Sequence, residues 1–69
     1  MDTLDVKGLS CPIPVIRTKK MLDKGCQELQ VTGTGNVARE NVSKFASSQG
    51  FIVKLVNDSP DEWNIIISK

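Results

Sequence analysis

The chain contains no histidine, which excludes a mixed Cys/His zinc site and a nucleophilic cysteine activated by an imidazole. Its two cysteines are too few for a disulfide framework. They are also badly placed for a single bridge. If residues 12–23 are helical, Cys11 and Cys26 lie at opposite ends of a rod about 18 Å long, whereas bridged Cα atoms lie within ~7 Å. No apolar run approaches the ~20 residues of a membrane span, and the N-terminus lacks a basic-then-apolar leader pattern. The chain is therefore expected to be cytoplasmic, with no membrane association. Nine basic against eight acidic residues leave a net charge of +1, so there is no overall nucleic-acid footprint and any basic surface must be local. Sixty-nine residues make one domain spanning 1–69, close to the lower limit for a metal-free core and with little room for an internal active-site cavity. The single tryptophan, Trp63, sits where a strand should start and is expected to cover the edge of the core rather than stack on a base.

What the chain does have is the stretch Gly8-Leu9-Ser10-Cys11-Pro12-Ile13-Pro14. Proline is favoured at the first helical position, so Pro12 is expected there, with Cys11 at the cap and Pro14 in the same turn. Two of the orphan N–H donors are then missing, and those of Cys11 and Ile13 are expected to face an anion at the cap. That anion can be the cysteine's own sulfur. A helix N-terminus favours negative charge by about 0.3–1 kcal/mol, which draws a thiol toward its reactive thiolate near neutral pH. The bland alternative is that Cys11 is a small apolar residue under a stiff turn.

Along the chain, residues 3–6 alternate as a half-buried strand, with Leu4 and Val6 on one face and Asp5 on the other. Gly8 ends it. A first helix sets Pro14, Val15, Thr18, Met21 and Leu22 in one arc toward the sheet, and Gly25 stops it. Arg17, Lys20 and Lys24 form a second stripe shared by Ile13, with Ile16 beside it. This is either a solvated face or a docking surface around Cys11, with Ile13 and Ile16 as apolar contacts and Arg17 and Lys20 steering an acidic partner or RNA. Cys26 precedes a second strand, residues 28–32, and reads as a packing residue. A second helix is expected from 37 to 49, with Ala38, Val42, Phe45, Ala46 and Gln49 inward and Gly50 closing it. Residues 51–56 and 62–68 should form an antiparallel hairpin across the turn-rich segment 57–61.

Between the second strand and helix lies Thr32-Gly33-Thr34-Gly35-Asn36-Val37-Ala38. Gly33-x-Gly35-x-x-Ala38 matches the dinucleotide fingerprint in form, and Asp58 follows at about the expected interval. A dinucleotide, however, is normally held by a much larger sheet. The competing explanation is a glycine turn with Asn36 as N-cap.

The order β-α-β-α-β-β, with each helix apolar on one stripe, predicts an α+β two-layer sandwich: a four-stranded sheet with two helices on one face. Right-handed crossovers bring the first two strand-to-helix loops to one edge. Cys11 and residues 34–36 should then share a rim, with Arg39 as the nearest added positive charge.

The Cys11-Pro12-Ile13-Pro14 motif at a helix start, the preceding Leu4-Asp5-Val6 and Gly8-Leu9-Ser10, and the terminal Ile65-Ile66-Ile67 resemble the TusA/SirA-like sulfur carrier proteins over nearly the whole chain. Within that family, Thr18-Lys19-Lys20-Met21-Leu22 and Glu40-Asn41-Val42-Ser43-Lys44-Phe45-Ala46 look more like the YedF branch, which is associated with selenium metabolism. The resemblance implies a mixed sheet and a Cys11 that accepts sulfane sulfur as a persulfide. It also implies a sulfur donor such as a cysteine desulfurase and a downstream acceptor protein. Partner contacts are expected at Pro12, Ile13, Pro14, Arg17, Lys20 and Arg39, with no cofactor or metal and with the chain acting as a monomer. The glycine-rich loop departs from the family, where it is more often acidic. An indirect or weak RNA contact is also expected of the carrier. Two other readings stay open: a small nucleotide- or RNA-binding module using Gly33 to Asn36 and the basic stripe, and a thiol redox sensor in which Cys11 is simply oxidised.

Overall fold

The computed structural model describes residues 2–10, 12–59 and 61–69. Alternating apolar and polar residues form β2 (Glu28–Gly33), while β1 (Asp2–Asp5) starts and ends one residue before the expected 3–6 and holds Leu4 as its one apolar residue; further strands form β3 (Ile52–Asp58) and β4 (Trp63–Ser68). Between them lie α1 (Ile13–Asp23) and α2 (Asn36–Ser48). The order of elements is the β-α-β-α-β-β expected from the sequence.

The four strands make one mixed sheet in the order β1-β2-β4-β3. β1 runs parallel to β2, while β4 is antiparallel to both β2 and β3. The terminal strand therefore enters between β2 and β3. Cross-strand register places Leu4, Val31, Ile65 and Leu55 in one row and Leu29, Ile67 and Val53 in the next. Neighbours in a row share a face. The face under the helices buries Leu29, Val31, Trp63, Ile65 and Ile67 against Val42 and Ala46 of α2 and Leu22 of α1.

Helix α1 buries Pro14, Thr18 and Leu22, with Val15 and Met21 half-buried, as its apolar arc requires. The Thr18 hydroxyl donates to the Pro14 carbonyl at 2.8 Å, so its burial leaves no polar group unmet. Gly25 follows the C-cap Lys24 at φ +92°, the left-handed position that ends helices at glycine. In α2 the inward face is narrower than expected, because Gln49 is the C-cap and stands exposed.

Two helix starts differ from the sequence reading. Pro12 is the N-cap of α1 rather than its first helical residue, at φ −97° and ψ 17°, and Pro14 stands in the first turn. The Pro12 carbonyl already accepts the Ile16 N–H at 3.1 Å, so proline serves the helix from half outside it. In α2 the N-cap is Gly35, at φ +87°, and Asn36 is the first helical residue rather than the cap. No side chain caps either helix.

Candidate functional site

The rim beyond the carboxyl ends of β1 and β2 is assembled by contacts between elements far apart in sequence. The Val6 N–H continues the β1 ladder to the Thr32 carbonyl at 2.7 Å. One step on, the Gly8 N–H donates to the Thr34 hydroxyl at 3.2 Å, tying the β1–α1 loop to the β2–α2 loop. These two loops share an edge, as right-handed crossovers require. Gly8 takes φ +74°, a backbone conformation glycine adopts without penalty. Within the loop, Lys7 N–H goes to Asp5 Oδ1 at 2.9 Å and Leu9 N–H to the Val6 carbonyl at 3.3 Å.

The β3–β4 hairpin also reaches this rim, which the sequence reading missed. Lys7 Nζ lies 3.4 Å from Glu62 Oε1, and Arg39 Nη1 lies 2.7 Å from Asp58 Oδ2. Only the β-propensity of residues 51–56 marked this strand, and β3 runs on to Asp58 because its partner β4 offers register pairs that far. Ser59 closes the turn, donating its hydroxyl and its N–H to the Glu62 carbonyl at 2.7 and 3.0 Å.

Cys11, the residue on which the sequence reading rests, and Pro60 lie outside the described residues. The residues on either side of Cys11 are exposed, Ser10 before it and Pro12 after it. The Ile13 N–H, expected to face an anion at the helix start, is instead donated to the Ser10 carbonyl at 3.0 Å. That donor is already spent. Pro14, expected both in the core arc and on the partner surface, is fully buried, so only the first role holds. Arg39 is three-quarters covered and paired with Asp58, so it braces the rim rather than offering a free charge.

The remaining surface stripe is open. Ile13 and Ile16 are 40% and 46% exposed, and Arg17, Lys20 and Lys24 are exposed beside them. Val37, Ile52, Leu55 and Val56 are more exposed still, so the exposure of the two isoleucines fits a solvated face as well as a docking surface. Lys19, by contrast, is engaged by Asp23 four residues on, at 2.6 Å.

The glycine-rich loop has a physical reason unrelated to phosphate. A Cβ on Gly33 would collide with the Trp63 ring and stand 2.9 Å from Val6 Cγ2, so only glycine lets the indole lie where it does. The indole N–H then donates to the Gly35 carbonyl at 2.9 Å. Trp63 is 2% exposed: it fills the core beneath this loop and does not merely cover an edge. Gly33 is the footprint of that ring, and glycine at 35 answers to its φ of +87° at the start of α2.

Cys26 is half-buried, and its single S–H is shared between two acceptors, Asp2 Oδ2 and the Glu28 carbonyl, each 3.2 Å from the sulfur. Burial first, then donation to Asp2, push this thiol above its ordinary range, which keeps it protonated at neutral pH. It is a packing residue with a satisfied S–H. Among the described residues no three or more Cys, Asp and Glu side chains gather as a metal site, and no helix is long and apolar enough to cross a membrane.

Residues 2–69 match the family model described as sulfurtransferase TusA. A candidate sulfur carrier protein of Methanocaldococcus jannaschii is 39% identical, over all of this chain and 95% of that protein. The Bacillus subtilis protein YrkI, also named as a candidate sulfur carrier, is 34% identical over 96% of this chain and 91% of its own length. Among solved structures, a SirA-like protein from Desulfitobacterium hafniense superposes with a TM-score of 0.87 at 30% identity, covering 97% of this chain and 95% of that one.

Proposed function

Since the chain belongs to the TusA family of sulfur carriers, we propose that it carries its sulfur on Cys11 as a persulfide, taken from one protein and given to another. The observation that carries this reading is the Cys11-Pro12-Ile13-Pro14 tract: exposed residues on both sides of the cysteine, at the start of a helix whose outer face is open. A relay needs a thiolate that can attack and a position that two different partners can reach in turn.

The step balances without a cofactor. The Cys11 thiolate attacks the outer sulfur of a donor persulfide, the donor's S–S bond breaks, and its thiolate leaves. One sulfane sulfur moves with no net change in oxidation state. Delivery repeats the exchange in the other direction. A perselenide would be carried by the same chemistry, and the likeness of residues 18–22 and 40–46 to the YedF branch supports a selenium-linked role as the finer form of this reading. The donor we propose is a cysteine desulfurase, acting on a monomeric, cytoplasmic carrier. Partners dock over Pro12, Ile13, Ile16, Arg17 and Lys20. An RNA contact, if made, is indirect, through the acceptor protein.

The test is incubation with a cysteine desulfurase and cysteine, followed by mass spectrometry of peptides. The expected product is one added sulfur on the peptide containing Cys11. Addition of oxygen only, or of a mixed disulfide only, would instead identify a redox sensor.

A further inference from the structure

Thr34 stands between two glycines that are both fixed by the same buried ring. Gly33, in front of it, lies against the Trp63 indole with no room for a side chain. Gly35, behind it, accepts the indole N–H at 2.9 Å. Trp63 is 2% exposed and Val6, which also abuts Gly33, is 1% exposed. A half-buried threonine in a glycine turn is thus held on both sides by contacts to a fully enclosed ring. Its hydroxyl accepts the Gly8 N–H from 26 residues away.

Among the described residues, that bond is the last point before Cys11 at which the β1–α1 loop is hydrogen-bonded to any element other than the helix it leads into. The Leu9 N–H turns back to Val6 within the loop, and the Ser10 carbonyl serves Ile13 at the start of α1. Gly8, at φ +74°, would otherwise be free to change path. We propose that Thr34 is a positioning residue for the sulfur-carrying loop, its hydroxyl holding the Gly8 amide so that the chain leading to Cys11 follows one path from the core to the helix. This rests on the carrier reading of Cys11. It gives the loop glycines a second use, since Gly33 and Gly35 fix Thr34 by fixing themselves to Trp63.

The experiment compares wild type, Thr34→Val and Thr34→Ser. Alkylation of Cys11 is followed against pH by mass spectrometry, with a peptide of residues 8–14 as the unconstrained reference. Thr34→Val keeps the shape and removes the acceptor. Its alkylation midpoint should move toward that of the peptide, and sulfur loading from a desulfurase should slow by about threefold, the scale of one exposed hydrogen bond. Thr34→Ser, which restores the oxygen, should return both to wild-type values. Should Thr34→Val not fold, Thr34→Ala removes the same oxygen without an added methyl and is read in the same way. Identical midpoints for wild type and Thr34→Val, or a Thr34→Ser that behaves like the valine variant, would overturn the proposal. Alkylation needs no sulfur donor. A wild type that takes no sulfur would therefore defeat the carrier reading separately, while the alkylation comparison still decides what Thr34 does.

Discussion

Gly33 of β2 and Trp63 of β4 are register partners, and the indole occupies the space that a side chain on residue 33 would need. The pairing joins the second and last strands at the rim shared by the β1–α1 and β2–α2 loops. It explains a glycine in a buried strand, where the residue otherwise weakens a sheet.

Gly33→Ala should therefore destabilise the fold by about 1–3 kcal/mol, the usual cost of forcing atoms into a filled core. The ring and Val6 are both enclosed, so neither can swing aside cheaply. Urea unfolding should show a lower midpoint with little change in slope. Because Trp63 is the sole tryptophan, its emission should shift as the ring is displaced. An unchanged midpoint would mean that the ring has room which the packing denies it.

The order of elements, the inward arcs of both helices and the shared rim were legible because each depends on local periodicity or on crossover handedness. Alternation at Leu4, Asp5 and Val6, and the spacing of Pro14, Thr18 and Leu22, carry that information directly. The role of Trp63 was not legible. Its burial depends on a missing side chain thirty positions earlier, at Gly33, and a glycine pattern alone looks the same whether it admits a phosphate or an indole. The arrival of Asp58 and Glu62 at the rim was hidden for a similar reason: it follows from β4 pairing between β2 and β3, a long-range choice that no local spacing encodes. The start of α1 lies one residue later than proline's preference for the first helical position implies, because Pro12 sits at φ −97° and ψ 17°, outside the helix, and Pro14 fills the first turn instead.

Cys26 should contribute a pH dependence of opposite use to that of a reactive thiol. Burial, and after it the hydrogen bond to Asp2, raise its pKa in the folded chain above the ordinary 9.0. The unfolded chain then releases this proton first, so the stabilising effect is complete below that ordinary value and is lost as pH rises through the raised one. Subtracting the stability of Cys26→Ser from that of wild type should give a difference that shrinks as pH rises from about 8 to 10. A difference independent of pH would show that the thiol titrates alike in both states. Sulfur loading of this variant should stay near wild type.

The basic stripe should act on encounter rather than on chemistry. Arg17→Glu with Lys20→Glu should slow association with an acidic partner by about tenfold at low salt, mainly in the on-rate, and wild-type association should itself slow as salt is added. Arg39→Ala should change association far less, because its guanidinium is held by Asp58. Stopped-flow binding at two salt concentrations distinguishes the two. Equal rates for wild type and the double reversal would make the stripe an ordinary solvated face.

The most direct test is the sulfur itself. Wild type and Cys11→Ser are each incubated with a cysteine desulfurase and cysteine, and intact mass and peptide mass are read without reductant. Serine is close to cysteine in size, and position 11 precedes in sequence the N-cap residue Pro12, so the variant should keep the fold, as circular dichroism can verify. Wild type should gain one sulfur on the peptide spanning Cys11 and lose it on adding thiol, while folded Cys11→Ser gains none. An equal sulfur load on the serine variant, or a load carried by Cys26, would contradict the assignment of the carrier site to Cys11.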